Sequence, residues 1–283
     1  MKVNKQLENE KVSLNDFLFM IEAYEEIAAL RMRKVKKSVL SRREFMQGLN
    51  DAFAYIVYAY RVYKQSIKKK QQEILNTNGK TVSVLLSSNT GLYGDIIREI
   101  FNHFAVDIAK VDTDIVIVGK MGKALFDAVP NHKNYDYFDM SDKGIDDASI
   151  KRLLEHLTQY SNVIIYHGVF KSILKQEAQK TLVTGEVLKI ADSLQDYNVA
   201  FLFEPSVQKI AEYFEKQILG LLFEQTVFES SLSKFASRMV SLDAAAENVH
   251  KKLTTVGFAL QKAHHKALNS NIQGTLAGGY LWK

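Results

Sequence analysis

The chain has 283 residues, a formal net charge of +5, 47% hydrophobic and 24% charged residues, and no cysteine. That is enough apolar chain for a folded core, and the lack of cysteine excludes a disulfide framework, a thiolate metal site and a cysteine nucleophile. No apolar run approaches the roughly 18 residues of a membrane-spanning helix, and the polar start Met1–Val12 resembles neither a signal nor a transit peptide, so a cytoplasmic protein is expected.

Taken in chain order, the first element is a long helix. Leu14, Leu18, Ile21, Ala28, Met32, Val35, Val39, Met46, Leu49, Phe53, Ile56, Tyr60, Tyr63 and Ile67 fall on one stripe, interrupted by Glu25 and Arg42. Spacings of three and four residues predict an amphipathic or coiled-coil helix. Its basic clusters are Arg31, Arg33, Lys34, Lys36 and Lys37, then Arg42 and Arg43, then Lys68 to Lys70. No aromatic stacking box or Cys/His finger accompanies them, so nucleic acid is not the expected partner. Solvated helix faces or an acidic protein partner fit better.

The middle changes texture. Val82–Leu86, Asp114–Val118, Asn162–Tyr166 and Asn198–Phe203 read as strands, with Thr181–Leu188 as a further edge strand and a weak strand at Tyr135–Phe138 inside the polar loop Asn131–Gly144. Leu92–Phe104, Lys120–Ala128 and Asp146–Tyr160 read as the helices between them. Strands alternating with helices predict a largely parallel sheet. The only prolines are Pro130 and Pro205, so neither end contains this helix breaker.

From Val207 the pattern is again helical. Ala211, Phe214, Ile218, Leu221, Gln225, Phe228, Leu232, Phe235, Met239, Leu242, Ala246, Val249, Leu253, Val256, Leu260, Ala263 and Ala267 continue one seven-residue repeat without a slip. A helix of roughly 65 residues at 1.5 Å each would reach about 100 Å. The fold expected is therefore α/β: a long antiparallel two-helix coiled coil from the terminal segments, with a central, largely parallel α/β domain. The expected division is 1–76 for the first coiled-coil helix, 79–204 for the α/β domain and 205–283 for the second.

Chemistry is sparse. Ser88–Gly94 and Gly119–Lys123 follow strands but lack the P-loop and dinucleotide glycine patterns, and read as strand-to-helix turns. The adjacent His264 and His265 point about 100° apart on a helix and do not make a metal pair. No G-x-S-x-G elbow is present. No catalytic residue, cofactor or metal is expected.

Five segments carry a family resemblance. Ala23-Tyr24-Glu25-Glu26-Ile27-Ala28-Ala29-Leu30-Arg31-Met32-Arg33-Lys34 is similar to an N-terminal stretch ending in K-M-R-K in the γ subunits of rotary F-type ATP synthases. Gly91-Leu92-Tyr93-Gly94 resembles their S-D-R-G-L-C-G segment, and Phe203-Glu204-Pro205-Ser206 their E-P-S. Ser237-Arg238-Met239-Val240-Ser241-Leu242-Asp243-Ala244-Ala245-Ala246-Glu247-Asn248 is similar to A-R-M-V-A-M-x-x-A-T-x-N, and Ala277-Gly278-Gly279 to the terminal G-G-A. The segments are collinear and span nearly the whole chain.

The resemblance implies that the central α/β domain is Rossmann-like and that the chain is a central-stalk rotor, which has no catalytic site and couples ATP hydrolysis or synthesis in a hexameric α/β ring to rotation. Its implied partners are F-type α and β subunits, with an ε-like subunit and a membrane ring, or a replacement coupling partner, at the foot. It would act peripherally on the cytoplasmic side of the cell membrane, without inserting into it. Contacts to the lever loops of β are implied for Tyr24, Arg31, Arg33, Lys34, Arg238, His264, His265 and Asn269, and the foot loop is Gly91, Leu92, Tyr93 and Gly94. Tyr24 replaces a family Met, His264-His265 an Arg-Gln, Asn269 a Thr and Tyr93 the Cys of G-L-C-G. These departures, at the tip and foot, motivate an alternative: a γ-like shaft in a repurposed F-type-like ATPase driving a machine other than a proton pump, such as gliding motility. A coiled-coil scaffold with an α/β head explains the heptads but not the collinear motifs.

Overall fold

The computed structural model describes residues 2–67, 78–142, 147–183, 204 and 206–280. Helix α1 (Lys2–Ile67) opens the chain, followed by β1 (Thr81–Leu86), α2 (Ile96–Ile108), β2 (Asp114–Val118), α3 (Lys120–Asp127) and β3 (Asp136–Phe138). Then come α4 (Asp147–Leu157), β4 (Asn162–Phe170), β5 (Gln176–Leu182) and the closing helix α5 (Val207–Tyr280). The fold is α/β, with two long terminal helices, and its residues group into two compact units: 1–29 with 238–283, and 30–237.

In the first unit α1 and α5 run antiparallel. Ile21 packs with Leu242, Ala246 and Val249, joined by Leu14, Leu18, Ala245 and Leu253. These are mostly the heptad positions, buried because a stripe repeating every seven residues keeps facing its partner helix. The exposed Lys252–Glu10 pair at 3.7 Å crosses between the helices and is worth at most about 1 kcal/mol. From His264 to Leu276 every residue of α5 is exposed.

The second unit holds a five-stranded sheet in the order β3-β2-β1-β4-β5. β1 to β4 pair in parallel, while β5 is an antiparallel edge. The inner strands are continuous apolar runs because both faces of the sheet are covered. On one face Val82, Val84, Leu86, Val116, Val118, Val163 and Ile165 meet Ile150, Leu153 and Leu157 of α4 and Leu219, Phe223 and Val227 of α5. On the other, Phe104 of α2 sits edge-on to Phe126 of α3 and Tyr166 of β4, with ring centroids 5.9 and 5.3 Å apart. The closing helix is thus also one of the layers of the sandwich.

Within this unit α5 also faces α1. Met32 and Val39 are buried on α1, as are Leu232 and Phe235 on α5. Arg42, a polar break in the first stripe, pairs with Glu224 and lays its guanidinium 4.2 Å from the Phe228 ring centre. The stripe positions Met46–Ile67 and Val207–Ile218 lie outside the described side chains.

Several boundaries differ from the sequence reading. Helix α2 starts at Ile96 rather than Leu92, because Leu92 and Gly94 adopt positive φ angles of 64° and 56° that a right-handed helix cannot contain. Strand β4 runs on to Phe170, since hairpin pairing with β5 continues the ladder from Ile164 to Phe170. The edge strand is Gln176–Leu182 instead of Thr181–Leu188. Its polar sequence hides it from pattern reading, and such edges are commonly charged. Positions 184–188 and the strand expected at Asn198–Phe203 lie outside the described residues.

Phe223 is 1% exposed between α5 and the sheet. Phe223→Ala is expected to lower the unfolding free energy by about 3–5 kcal/mol, read by urea denaturation of the full chain. A loss under about 1 kcal/mol would mean that this face of α5 is not part of the core.

Candidate interaction surfaces

Among the described residues no group of His, Asp or Glu side chains is arranged to hold a metal ion, and no helix is long and apolar enough to cross a membrane. The interest lies in the loop after β1 and in the outer faces of the two long helices.

The loop 87–94 sits where an α/β fold often binds an anion. Its donors are turned inward onto the chain. The backbone N–H groups of Asn89 and Thr90 donate to Asp142 Oδ2 at 2.8 and 2.7 Å, and Thr90 Oγ1 donates to the same oxygen at 2.9 Å. The Asn89 side chain donates to Asp139 and accepts from Lys120 N at 2.9 Å. Beside it, Gly119 holds φ 94°, and a Cβ there would stand 2.8 Å from Ser87 Oγ and Ser88 O. The second glycine turn is therefore packed against the first, which explains the glycine without any ligand.

Of the foot-loop residues, Gly91 and Gly94 are exposed and Leu92 is 59% exposed. Tyr93 is buried at 2%, its ring edge-on to Phe235 of α5 at 6.3 Å, and its carbonyl accepts from Ser237 Oγ at 2.7 Å. Lys234 Nζ donates to Ser87 O at 2.8 Å and lies 3.9 Å from Asp142 Oδ1. The sequence reading singles out neither Lys234 nor Asp142, and names Ser237 only as part of a family-like motif. Nothing in local periodicity marks them, because their partners are more than a hundred residues away or in another loop.

The lever-type residues divide between the two units. In the first, Tyr24, His264, His265 and Asn269 are exposed and Arg238 is buried. His264 and His265 line an open groove with Glu8, Lys11, Asn15 and Gln261. In the second, Arg33 and Lys34 are exposed, while the half-buried Arg31 turns its guanidinium to 5.9 Å from the Phe235 ring centre. A feature missed from the sequence lies along α1: Phe17, Phe19, Met20, Tyr24 and Ile27 are all exposed large apolar residues. The heptad reading assigned the buried stripe and left this second face unremarked.

Among the described residues, two long terminal helices and a parallel-sheet α/β domain present exposed helix faces and an exposed loop as their outward features. A family model described as ATP synthase matches residues 4–278. The chain belongs to the ATP synthase family. The ATP synthase gamma chain of Ruthia magnifica subsp. Calyptogena magnifica is 19% identical over 288 residues, covering 98% of this chain and 99% of that relative. That of Xanthomonas campestris pv. campestris (strain B100) is 20% identical over 295 residues with the same coverage. Among solved structures, a chain of the Tetrahymena thermophila mitochondrial ATP synthase central stalk and c-ring matches with a TM-score of 0.54 at 17% identity, covering 80% of this chain and 99% of that one. One from the Euglena gracilis mitochondrial ATP synthase matches at 0.53 and 12% identity, covering 90% and 93%.

Glu25, the acidic break in the α1 stripe, has its pKa raised above the ordinary carboxylate value by loss of hydration, then by the charges of Asp243 on α5 and Glu22 on α1. The folded state therefore binds this proton more tightly than the unfolded chain. Its stabilising effect is present below the ordinary value of 4.5 and is lost as pH rises through the raised one. Glu25→Gln is expected to raise the melting temperature near neutral pH and to flatten its fall between pH 4.5 and 7. Parallel wild-type and variant melting curves over that range would refute the account.

Proposed function

We propose that this γ-type family member is the central rotor of an F-type rotary ATPase, coupling ATP hydrolysis or synthesis in an α/β ring to rotation. The observation that carries the reading is the full-length match to γ chains, together with the antiparallel α1–α5 seam at the heptad positions. The ATP sites belong to the ring, and this chain supplies asymmetry rather than catalysis. One off-axis shaft cannot touch three identical β subunits alike, so each contact favours a different β conformation.

Tyr24, Arg31, Arg33, Lys34, His264, His265 and Asn269 are the proposed contacts with the β levers, whereas Arg238 is buried and does not offer its side chain to a partner. The exposed apolar residues between Phe17 and Ile27 of α1 and the exposed segment of α5 from His264 to Leu276 support that placement, because both present side chains to solvent among the described residues. Exposed charges such as Arg33 and Lys34 make ion pairs worth about 0–1 kcal/mol each, weak enough to be exchanged from one β to the next. The proposed foot loop is Gly91–Gly94, with Leu92 its outward apolar residue and an ε-like subunit and membrane ring as its partners. Residues 79–204 would form the foot and the terminal segments the shaft, held at the cytoplasmic side of the membrane by the complex. The γ chains among the relatives favour this over a motor coupled to another machine.

An affinity tag in the exposed turn 131–133, followed by gentle purification and mass spectrometry, tests the assignment. Co-purification of α, β, ε and membrane-ring subunits is expected. Recovery of α- and β-like subunits with unfamiliar foot proteins would favour the repurposed motor, and recovery of neither α nor β would overturn the rotor.

A further inference from the structure

If α5 turns a load through the α/β domain, something must stop the helix from twisting against the sheet. The apolar face of Leu219, Phe223 and Val227 holds the two together, but such burial has no preferred direction. Hydrogen bonds and close steric contacts do. Both occur about two to three turns further along the same helix.

We propose that Lys234, Ser237 and Asp142 form a latch that fastens the loop 87–94 to α5 and fixes the rotational angle between the helix and the α/β domain. Lys234 Nζ donates to Ser87 O at 2.8 Å, its side chain only 12% exposed. Its charge is balanced by Asp142, 5% exposed and 3.9 Å away. That carboxylate in turn gathers Asn89 and Thr90 through three donors between 2.7 and 2.9 Å. Three residues further on α5, Ser237 holds the far end of the loop through Tyr93 O at 2.7 Å. The loop is thus gripped at both ends by one helix, and the ring of Tyr93 is lodged against Phe235 between them.

A steric tooth works with the latch. Ser233 of α5 is fully buried against Gly168 of β4, where a Cβ would lie 2.6 Å from Ser233 Oγ. The helix therefore meshes with the sheet on β4 and is tied down at the loop after β1. Rotation of α5 about its axis would break the directional contacts at one place and drive Ser233 into the β4 backbone at the other.

The inference rests on the rotor reading, and its test separates the two. Because the chain has no cysteine, Leu174→Cys at the exposed tip of the β4–β5 hairpin (83% exposed), in a complex whose other subunits carry no reactive cysteine, provides an attachment point for a bead on this chain alone. Single-molecule rotation of the assembled complex, surface-held through its ring, then reads the angular variance of the domain during ATP-waiting pauses. Lys234→Gln combined with Ser237→Ala is expected to at least double that variance while ATP hydrolysis stays within about twofold of wild type. Ser237→Ala alone, which removes one oxygen, should give an intermediate value, and Lys234→Arg should restore most of the stiffness. Wild-type variance in both Ser237→Ala and the double variant would overturn the latch and leave the rotor standing. A wild-type complex that hydrolyses ATP while the bead never turns would overturn both.

Discussion

The structure depends on α5 burying two stripes at once. Along Leu219, Phe223 and Val227 it closes one face of the sheet. Along Leu232 and Phe235, with Phe228 stacked under Arg42, it faces α1. A helix that is apolar over most of its circumference is stable in water only when it is covered on most sides. Neither the α/β domain nor the helix pair of the second unit is complete without the same helix. Force on that helix is therefore force on both.

The polar residues that break the seams have separate roles. Arg42 and Glu224 satisfy each other across the helices, with the Phe228 ring sheltering the guanidinium. A half-buried pair of this kind contributes more to register than to stability, because only one alignment of the helices joins the charges. Glu25 does the opposite. It brings a carboxylate toward Asp243 and weakens the seam at neutral pH. One such small loss among many seam positions leaves the coil folded.

The α/β domain shows how a nucleotide-type topology can serve mechanics. Its parallel strands, its glycine turns and its loop after β1 are those of a phosphate-binding fold. Here the loop donors converge on Asp142, and Lys234 ties the same loop to α5. Beside the exposed Thr90, Gly91 and Gly94, the loop then turns one large apolar residue to solvent, Leu92, held outward by its left-handed backbone. That geometry suits contact with another protein more than capture of an anion.

Much of this was legible in the residues themselves. A seven-residue repeat and a short apolar run are both local signals, so the sequence determined both long helices, the buried seam, strand β2 with its ends and strand β1 to within one residue. The five collinear motifs determined the family. Tertiary structure decided the rest. The second stripe of α5 is foreshadowed only by the unbroken apolar run Leu221-Leu222-Phe223, which says that the helix is buried without saying against what. The start of α2 depended on two left-handed residues, and the polar strand β5 on a hairpin ladder. Lys234 and Ser237 meet partners 147 and 144 residues away. Pairing across such distances is set by how the sheet and helix pack, and no local pattern encodes it.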